Sequence, residues 1–343
     1  MSESSTRMNE LQRAIGNWKL HTFLPEEVTV WSILKYINAL KDPNPIWRDD
    51  DYAKKTRWDG VIAPPTFVEV YSPINRALRE ISGEYPDGEL RGATCNIKLP
   101  FDRLFAGGEE FEFFIPIRPG DAISCDGSLG DVYEKQGSSG GSLVFVRLDK
   151  EYHNQRGELI ARTKWIEISA EAAPQPEIAA PQTSAQRAVM PTTISPEQVC
   201  FEDVEVGTLI PSMEKLVSMT MIAMWAVATG DVGLPHFDHE YMKNVYGIPN
   251  VIAHGPISGA LLAQLITNWI GGWGALKKHS VQYRGNIFPG NIIKFMGRVV
   301  NKYVEQGENF VECETWAENQ AQRRVTLGKS LVTLPSKDRI PRQ

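Results

Sequence analysis

Ile257 to Leu276 reads ISGALLAQLITNWIGGWGAL, twenty residues of largely apolar character. A membrane-spanning helix needs about twenty such residues. Gln264, Thr267, Asn268 and the Gly271-Gly272 break count against a span and favour a buried core helix. A helix apolar nearly all round must be enclosed, and a curled sheet is the natural wrapping. The downstream sequence supplies one. Tyr283–Phe288, Ile292–Val300, Phe310–Trp316 and Val325–Leu334 read as strands, with a hairpin connection at Gln306-Gly307-Glu308-Asn309. One long apolar helix followed by antiparallel strands implies an α+β fold.

The same plan occurs earlier in the chain. Asp42 is followed by Asp49 and Tyr52, and Asp231 by Asp238 and Tyr241, at identical spacing. Val61-Ile62-Ala63-Pro64 answers Val251-Ile252-Ala253-His254, and Pro119-Gly120-Asp121 answers Pro289-Gly290-Asn291. Tyr133 with Gln136-Gly137 matches Tyr303 with Gln306-Gly307. Landmarks in constant order mark an internal duplication. Residues 171–198 carry five prolines among Ala, Gln, Ser and Thr, a linker composition. The division is therefore an N-terminal unit at 1–170, a linker at 171–198, a C-terminal unit at 199–336 and a tail at 337–343. Each unit should open with a helix (Val28 to Ala39; Thr220 to Ala228), then hold an irregular Asp-bearing loop, a long apolar helix (Thr66 to Ile81; Ile257 to Trp269) and strands.

A length of 343 residues suits two domains at roughly 150 each. The hydrophobic share of 42% and charged share of 23% are those of an ordinary globular chain, and a net charge of −6 argues against nucleic-acid binding. Cys95, Cys125, Cys200 and Cys313 form no Cys-x-x-Cys pair and read as reduced thiols. Met1 to Glu10 lacks the apolar run of a signal peptide, so the expected location is cytoplasmic.

The residues suited to chemistry lie in the second unit. Asp231 and His236 flank Gly233 and Pro235, in a loop that can turn both side chains to one point. Histidine is the usual acid/base group near neutral pH, and a carboxylate can share a water with it. His254-Gly255 precedes the long helix. The Gly255 N–H sits at a helix start, where unpaired donors favour developing negative charge, and a glycine lets a ligand approach closely. Pro256 fits a first-turn position. Other readings weigh less. His236, Asp238 and His239 lack the spacing of a metal set, so no metal is expected. Gly255-Pro256-Ile257-Ser258-Gly259 places its serine one position late for a nucleophile elbow. Trp225, Trp269 and Trp273 read as core.

These motifs resemble the MaoC-like family of (R)-specific enoyl-CoA hydratases, hydratase 2. The family's Asp-x-Asn-Pro-x-His-x-Asp appears as Asp231, His236 and Asp238, followed by His254-Gly255 and Phe288-Pro289-Gly290-Asn291. Gly233 and Leu234 stand where Asn and Pro are expected. The first unit keeps Asn44-Pro45 but has Trp47 in place of the histidine and Pro64-Pro65 in place of His-Gly. The resemblance implies a double hot dog, two antiparallel sheets each wrapped around a long central helix, with one surviving site. It implies reversible hydration of a trans-2-enoyl thioester of CoA or acyl carrier protein. Asp231 and His236 would activate water and Gly255 would polarise the carbonyl, while His254, Ser258, Arg284 and Lys277-Lys278 would meet substrate. No separate cofactor, nucleic-acid partner or membrane is expected, and a homodimer is. The alternatives are a hot-dog thioesterase, for which Glu69 is the available carboxylate, and a non-catalytic acyl-binding partner subunit. The acyl group stays open, from a short branched dicarboxylic chain to a bulky or long one.

Overall fold

The computed structural model of the chain describes residues 3–16, 19–21, 26–72, 99–137, 140–171 and 198–340. Most of the linker, Cys95, Pro73 and the last three residues of the tail lie outside the described residues.

Each half has its expected helix, but that helix does not open it: a helix at Glu3–Ala14 and two short strands come first in one half, and a strand at Leu209–Val217 precedes it in the other. In the Val30–Ala39 helix, Thr29 Oγ1 accepts from Ser32 N at 3.0 Å and Ser32 Oγ accepts from Thr29 N at 3.1 Å, a reciprocal cap. Its counterpart, Met219–Thr229, is capped by Ser218 and stops at Gly230, whose φ of 82° suits glycine. The two helices pack together, with the Tyr36 and Trp225 rings 5.2 Å apart.

The strands are β1 (Lys19–His21), β2 (Glu26–Glu27), β3 (Arg103–Phe113), β4 (Ala122–Gln136), β5 (Ser142–His153), β6 (Leu159–Ala170), β7 (Leu209–Val217), β8 (Ala275–Tyr283), β9 (Asn291–Glu305), β10 (Glu308–Glu318) and β11 (Arg324–Thr333). They run in the order β1-β4-β5-β6-β3-β8-β11-β10-β9-β7, with β2 beside β4. Read outward from the middle, the two halves repeat one another, β3-β6-β5-β4-β1 against β8-β11-β10-β9-β7. That is the duplication expressed as topology. The two sheets are not separate. β3 and β8 pair antiparallel from Gly108↔Gln282 to Glu112↔Lys278, which fuses them edge to edge and covers both open edges. The β9–β10 hairpin turns at Gln306 and Gly307, both with positive φ.

The central helix of the second half spans Gly255–Ile270, and every residue from Ile257 to Ile270 is buried. It packs on strands of its own half and on β3 of the other. Residues of both halves, among them Phe67, Trp225, Leu261 and Phe295, belong to one apolar core. Trp225 and Trp269 lie in it. Cys125, Cys200 and Cys313 are buried and form no disulfide among the described residues. No helix among the described residues is long and apolar enough to cross a membrane.

The first half differs from expectation at its long helix. The described part, Pro65–Tyr71, is a 3-10 helix, and residues 73–81 lie outside the described residues. Ser72, the residue before Pro73, is extended (φ −62°, ψ 132°), and its N–H reaches back only to Glu69 O. A residue preceding proline avoids the helical region, and proline cannot give the i→i−4 bond.

Candidate active site

Gly230 ends its helix in the left-handed region and turns the chain so that Asp231 leaves the helix axis. The Asp231 N–H donates to Thr229 Oγ1 at 3.3 Å, and Asp231 Oδ1 accepts from Gly233 N at 3.3 Å. Pro235 then sets a 3-10 turn, Leu234–His236, and its carbonyl accepts from Ile252 N at 3.0 Å. In return, His236 Nδ1 lies 2.8 Å from Ile252 O. A carbonyl only accepts, so Nδ1 carries the proton and Nε2 keeps its lone pair. This crossed pairing draws the Asp-bearing loop onto the segment leading to the central helix.

His254 closes the cluster. Its ring stacks on His236 with centroids 3.5 Å apart and planes 24° apart. Its Nε2 donates to Asp231 O at 3.0 Å and lies 3.8 Å from Asp231 Oδ2. It is 1% exposed and its Nδ1 has no hydrogen-bond partner among the described residues. Burial first, and then the stacked His236, push its pKa down to about 3 against the pull of Asp231. Burial raises Asp231, but the two imidazoles and the Gly233 N–H outweigh it and hold the carboxyl below its ordinary value.

Asp231, His236 and His254 each offer a ligand-type atom within 4.8 Å of the others. That separation suits one bridging water. It suits a metal ion poorly, because near-parallel stacked rings aim their in-plane lone pairs side by side rather than at a common point. Asp238 is a helix cap, accepting from Tyr241 N at 2.9 Å, as Asp49 accepts from Tyr52 N at 3.0 Å. His239 is exposed.

The Gly255 N–H sits in the first turn of the central helix and donates to no described residue. The reason for glycine differs from the one expected. A Cβ on Gly255 would stand 2.9 Å from Ala106 Cβ and 3.2 Å from Tyr283 Cδ2, so the missing side chain lets the helix start pack between β3 and β8. It faces protein, not ligand.

The expected substrate contacts are differently employed. Ser258 is 2% exposed, and its hydroxyl donates to Gly255 O at 2.8 Å and meets Thr326 Oγ1 at 2.8 Å, which ties the helix to β11. Its hydrogen-bonding capacity is used within the protein. Arg284 is exposed and bonded to Gln282 Oε1. Lys278 pairs with Glu112 at 2.9 Å. Glu69, the carboxylate a thioesterase would need, is clasped by Lys150 Nζ at 2.8 and 3.0 Å in a buried ion pair.

Two residues escape the sequence reading. Glu109 of β3 is 4% exposed. Burial first, then Glu69, push its pKa up to about 8 against Lys150 and Tyr283. Tyr283 carries its hydroxyl to the same helix, where a Cβ on Gly259 would approach it to 2.9 Å. Glu109 reaches this place only through the β3–β8 seam, and no local motif marks it.

The first half shows what the loop becomes without its histidine. Trp47 Nε1 donates to Asp42 Oδ2 at 3.0 Å, and Asn44 N donates to Asp42 Oδ1 at 3.0 Å. Asp42 is 2% exposed, and burial raises its pKa to about 6 against these hydrogen bonds. Pro65 offers no N–H where Gly255 does. No imidazole and no carbonyl donor remains there, and both Asp42 carboxylate oxygens are taken by Asn44 and Trp47.

Residues 13–163 match the family described as FAS1-like, dehydratase domain region, and residues 204–320 match the MaoC like domain. A UPF0336 protein of Thermobifida fusca is 31% identical over 134 residues, 39% of this chain and 77% of that protein. A protein of Thermomonospora curvata named probable enoyl-CoA hydratase alpha subunit is 26% identical over 141 residues, 41% of this chain and 44% of that one. The chain thus spans under half the length of this second relative. A solved structure titled MaoC-like dehydratase superposes with a TM-score of 0.71 at 20% identity, covering 94% of this chain and 99% of that one. The shared architecture is the double hot dog.

Proposed function

This chain belongs to the MaoC-like dehydratases and is a hydro-lyase, and we propose that its substrates are enoyl thioesters, with trans-2-enoyl and (R)-3-hydroxyacyl forms interconverted at Asp231, His236 and Gly255. The carrying observation is the arrangement of Asp231 and His236, with ligand-type atoms within 4.8 Å and the His236 Nδ1 proton committed to Ile252 O. His236 Nε2 and the Asp231 carboxylate then accept from one water. As the water oxygen bonds to C3, the C2–C3 π electrons move to the thioester oxygen and the water proton passes to the pair. The enolate collapses by taking a proton at C2 from the same pair, which gives syn addition. The Gly255 N–H stabilises the oxyanion, and removing such a donor costs about 3 kcal/mol of barrier. Loss of a positioned acid/base group costs roughly 10²–10⁴ in rate.

His254 acts through its neighbours in this reading. It holds the Asp231 backbone and supports the His236 ring, and so is a positioning residue rather than a substrate contact. The thioester arm is that of CoA or of an acyl carrier protein. The reading extends to a homodimer working in the cytosol, which sedimentation of the purified chain and fractionation of cells test. Ultraviolet absorbance of a panel of enoyl-CoA thioesters tests the chemistry. Wild type should consume enoyl substrate, with Asp231→Asn and His236→Gln slowed by about 10²-fold or more. Full rate in both variants, or free thiol release in place of hydration, refutes it.

A further inference from the structure

A cavity of about 200 Å³ lies away from Asp231, His236 and Gly255, none of which lines it. It occupies the first half's counterpart of the active site. Trp47 and Pro64-Pro65, which replace the histidine and the His-Gly pair, form one wall. Thr267 and Ile270, from the last turn of the central helix, form the other. The duplication has therefore kept the pocket while removing the chemistry.

Its charge is asymmetric. Trp47 has spent its N–H on Asp42, and the wall residues Ile46, Ile62 and Ile270 are 2 to 3% exposed. The interior is therefore apolar. The helix C-terminus on the far wall would repel an anion placed deep inside. Both cations are elsewhere in the lining. Arg57 is exposed, lies 5.1 Å over the Trp58 ring and donates to Trp273 O at 3.3 Å. Lys277 is half-buried and also lines the cavity. Neither is in an ion pair among the described residues, whereas Lys278 next along the strand is paired with Glu112. Glu308 acts on Arg57 from beyond ion-pair distance, and an apolar interior with Arg57 and Lys277 in its lining selects a ligand that enters body first and leaves an anionic head at these two cations. An apolar cavity of about 150 Å³ is enough to hold a benzene ring. The space here takes a short acyl chain or a single ring.

We infer that the degenerate half is a non-catalytic binding site for a small carboxylate with a short acyl or single-ring body, held by Trp47 and Ile270 around the body and by Arg57 and Lys277 at the head. With no base and no N–H at position 65, such a ligand binds there without being hydrated. The inference rests on the cavity alone and stands apart from the reading of the catalytic half.

Hexanoate and benzoate are the probes, and 1-hexanol is the neutral control. Ligand-detected NMR with the full-length protein measures saturable binding. Both carboxylates should bind wild type and His236→Gln equally, and 1-hexanol more weakly. The double variant Arg57→Glu/Lys277→Glu, altered only at the cavity's cationic residues, should weaken both carboxylates at least about tenfold while leaving 1-hexanol within about twofold. Three results each overturn the inference: no saturable binding to wild type, carboxylate affinity unchanged in the charge-reversed variant, or binding abolished by His236→Gln. Trp58→Ala gives a second arm, since loss of the Arg57 stack should weaken benzoate without touching hydratase rate.

Discussion

Gly255→Ala measures how tightly the oxyanion donor is tied to the seam between the halves. The new Cβ would stand 2.9 Å from Ala106 Cβ and 3.2 Å from Tyr283 Cδ2. Carbon atoms rest at about 3.5–4.0 Å, so the gap to Ala106 must open by roughly 0.6–1.1 Å. Tyr283 can yield by rotating its ring. Ala106 Cβ is fixed directly to the β3 backbone, so the helix start must move instead, carrying the Gly255 N–H with it. A 1 Å misplacement costs about 10²-fold in rate, and overpacking costs about 1–3 kcal/mol of stability. Gly255→Ala should therefore lower kcat by roughly 10- to 100-fold with a small change in KM, and lower Tm by several degrees. The decisive comparison is Gly255→Ala with Ala106→Gly, which removes the 2.9 Å contact from the other side and should return most of the lost rate. Initial rates of enoyl-CoA hydration and thermal melts read both effects. A single variant at full activity, or a double variant no better than the single, refutes the reasoning.

Other expectations follow from the buried polar groups. Lys150 is 2% exposed at its side chain and held by Glu69 and Ser72, and Glu109, pushed up to about 8, is mostly neutral at pH 7 and is a poor replacement counter-charge. Glu69→Leu should destabilise by about 3–5 kcal/mol, read by chemical denaturation, and a cost under about 1 kcal/mol would contradict the ion pair's role. The Glu109 carboxyl has its folded pKa raised above the unfolded value near 4.3, so the fold binds the extra proton between about pH 4.3 and 8 and loses stability as pH rises through that window. Glu109→Gln should thus gain Tm over wild type progressively from pH 5 to pH 8, and a gap constant with pH would show that Glu109 does not titrate there. His254→Phe keeps a ring against His236 but loses the donor to Asp231 O, worth about 0.5–1.5 kcal/mol. Its kcat should fall by up to about tenfold, with the acid limb of the pH profile moved upward because Asp231 loses one of the imidazoles that hold its carboxyl down, and a loss as deep as that of His236→Gln would make His254 more than a support.

The parts of this molecule written in short stretches of sequence were readable. The run Ile257 to Leu276 announced a buried helix because its apolar residues leave no polar face. The repeated Asp, Tyr and Pro-Gly spacings announced two equivalent halves, and Asp231 with His236 announced a site because a Gly- and Pro-broken loop separates them. What escaped depends on chain segments far apart in sequence. The β3–β8 seam joins residues about 170 positions apart, and no local pattern specifies which edge strand meets which. For that reason Gly255 looked like an opening for ligand when it accommodates Ala106. Glu109 has no motif around it in sequence, and its burial comes from β3 lying beside β8. Ser258 looked available, but Thr326 lies 68 positions away and takes its hydroxyl. Within the first half, Ser72 precedes a proline and is extended, and the 3-10 helix stops there.

The five residue pairs across β3 and β8, and the core the two halves hold in common, also say something about assembly. Peptide continuity between residues 171 and 198 contributes little to keeping the halves together once they have met. Expressed as two polypeptides cut in that stretch, the molecule should reconstitute as an obligate heterodimer. Neither fragment should persist in solution without the other, because each would present a bare sheet edge and half of a hydrophobic interior to water.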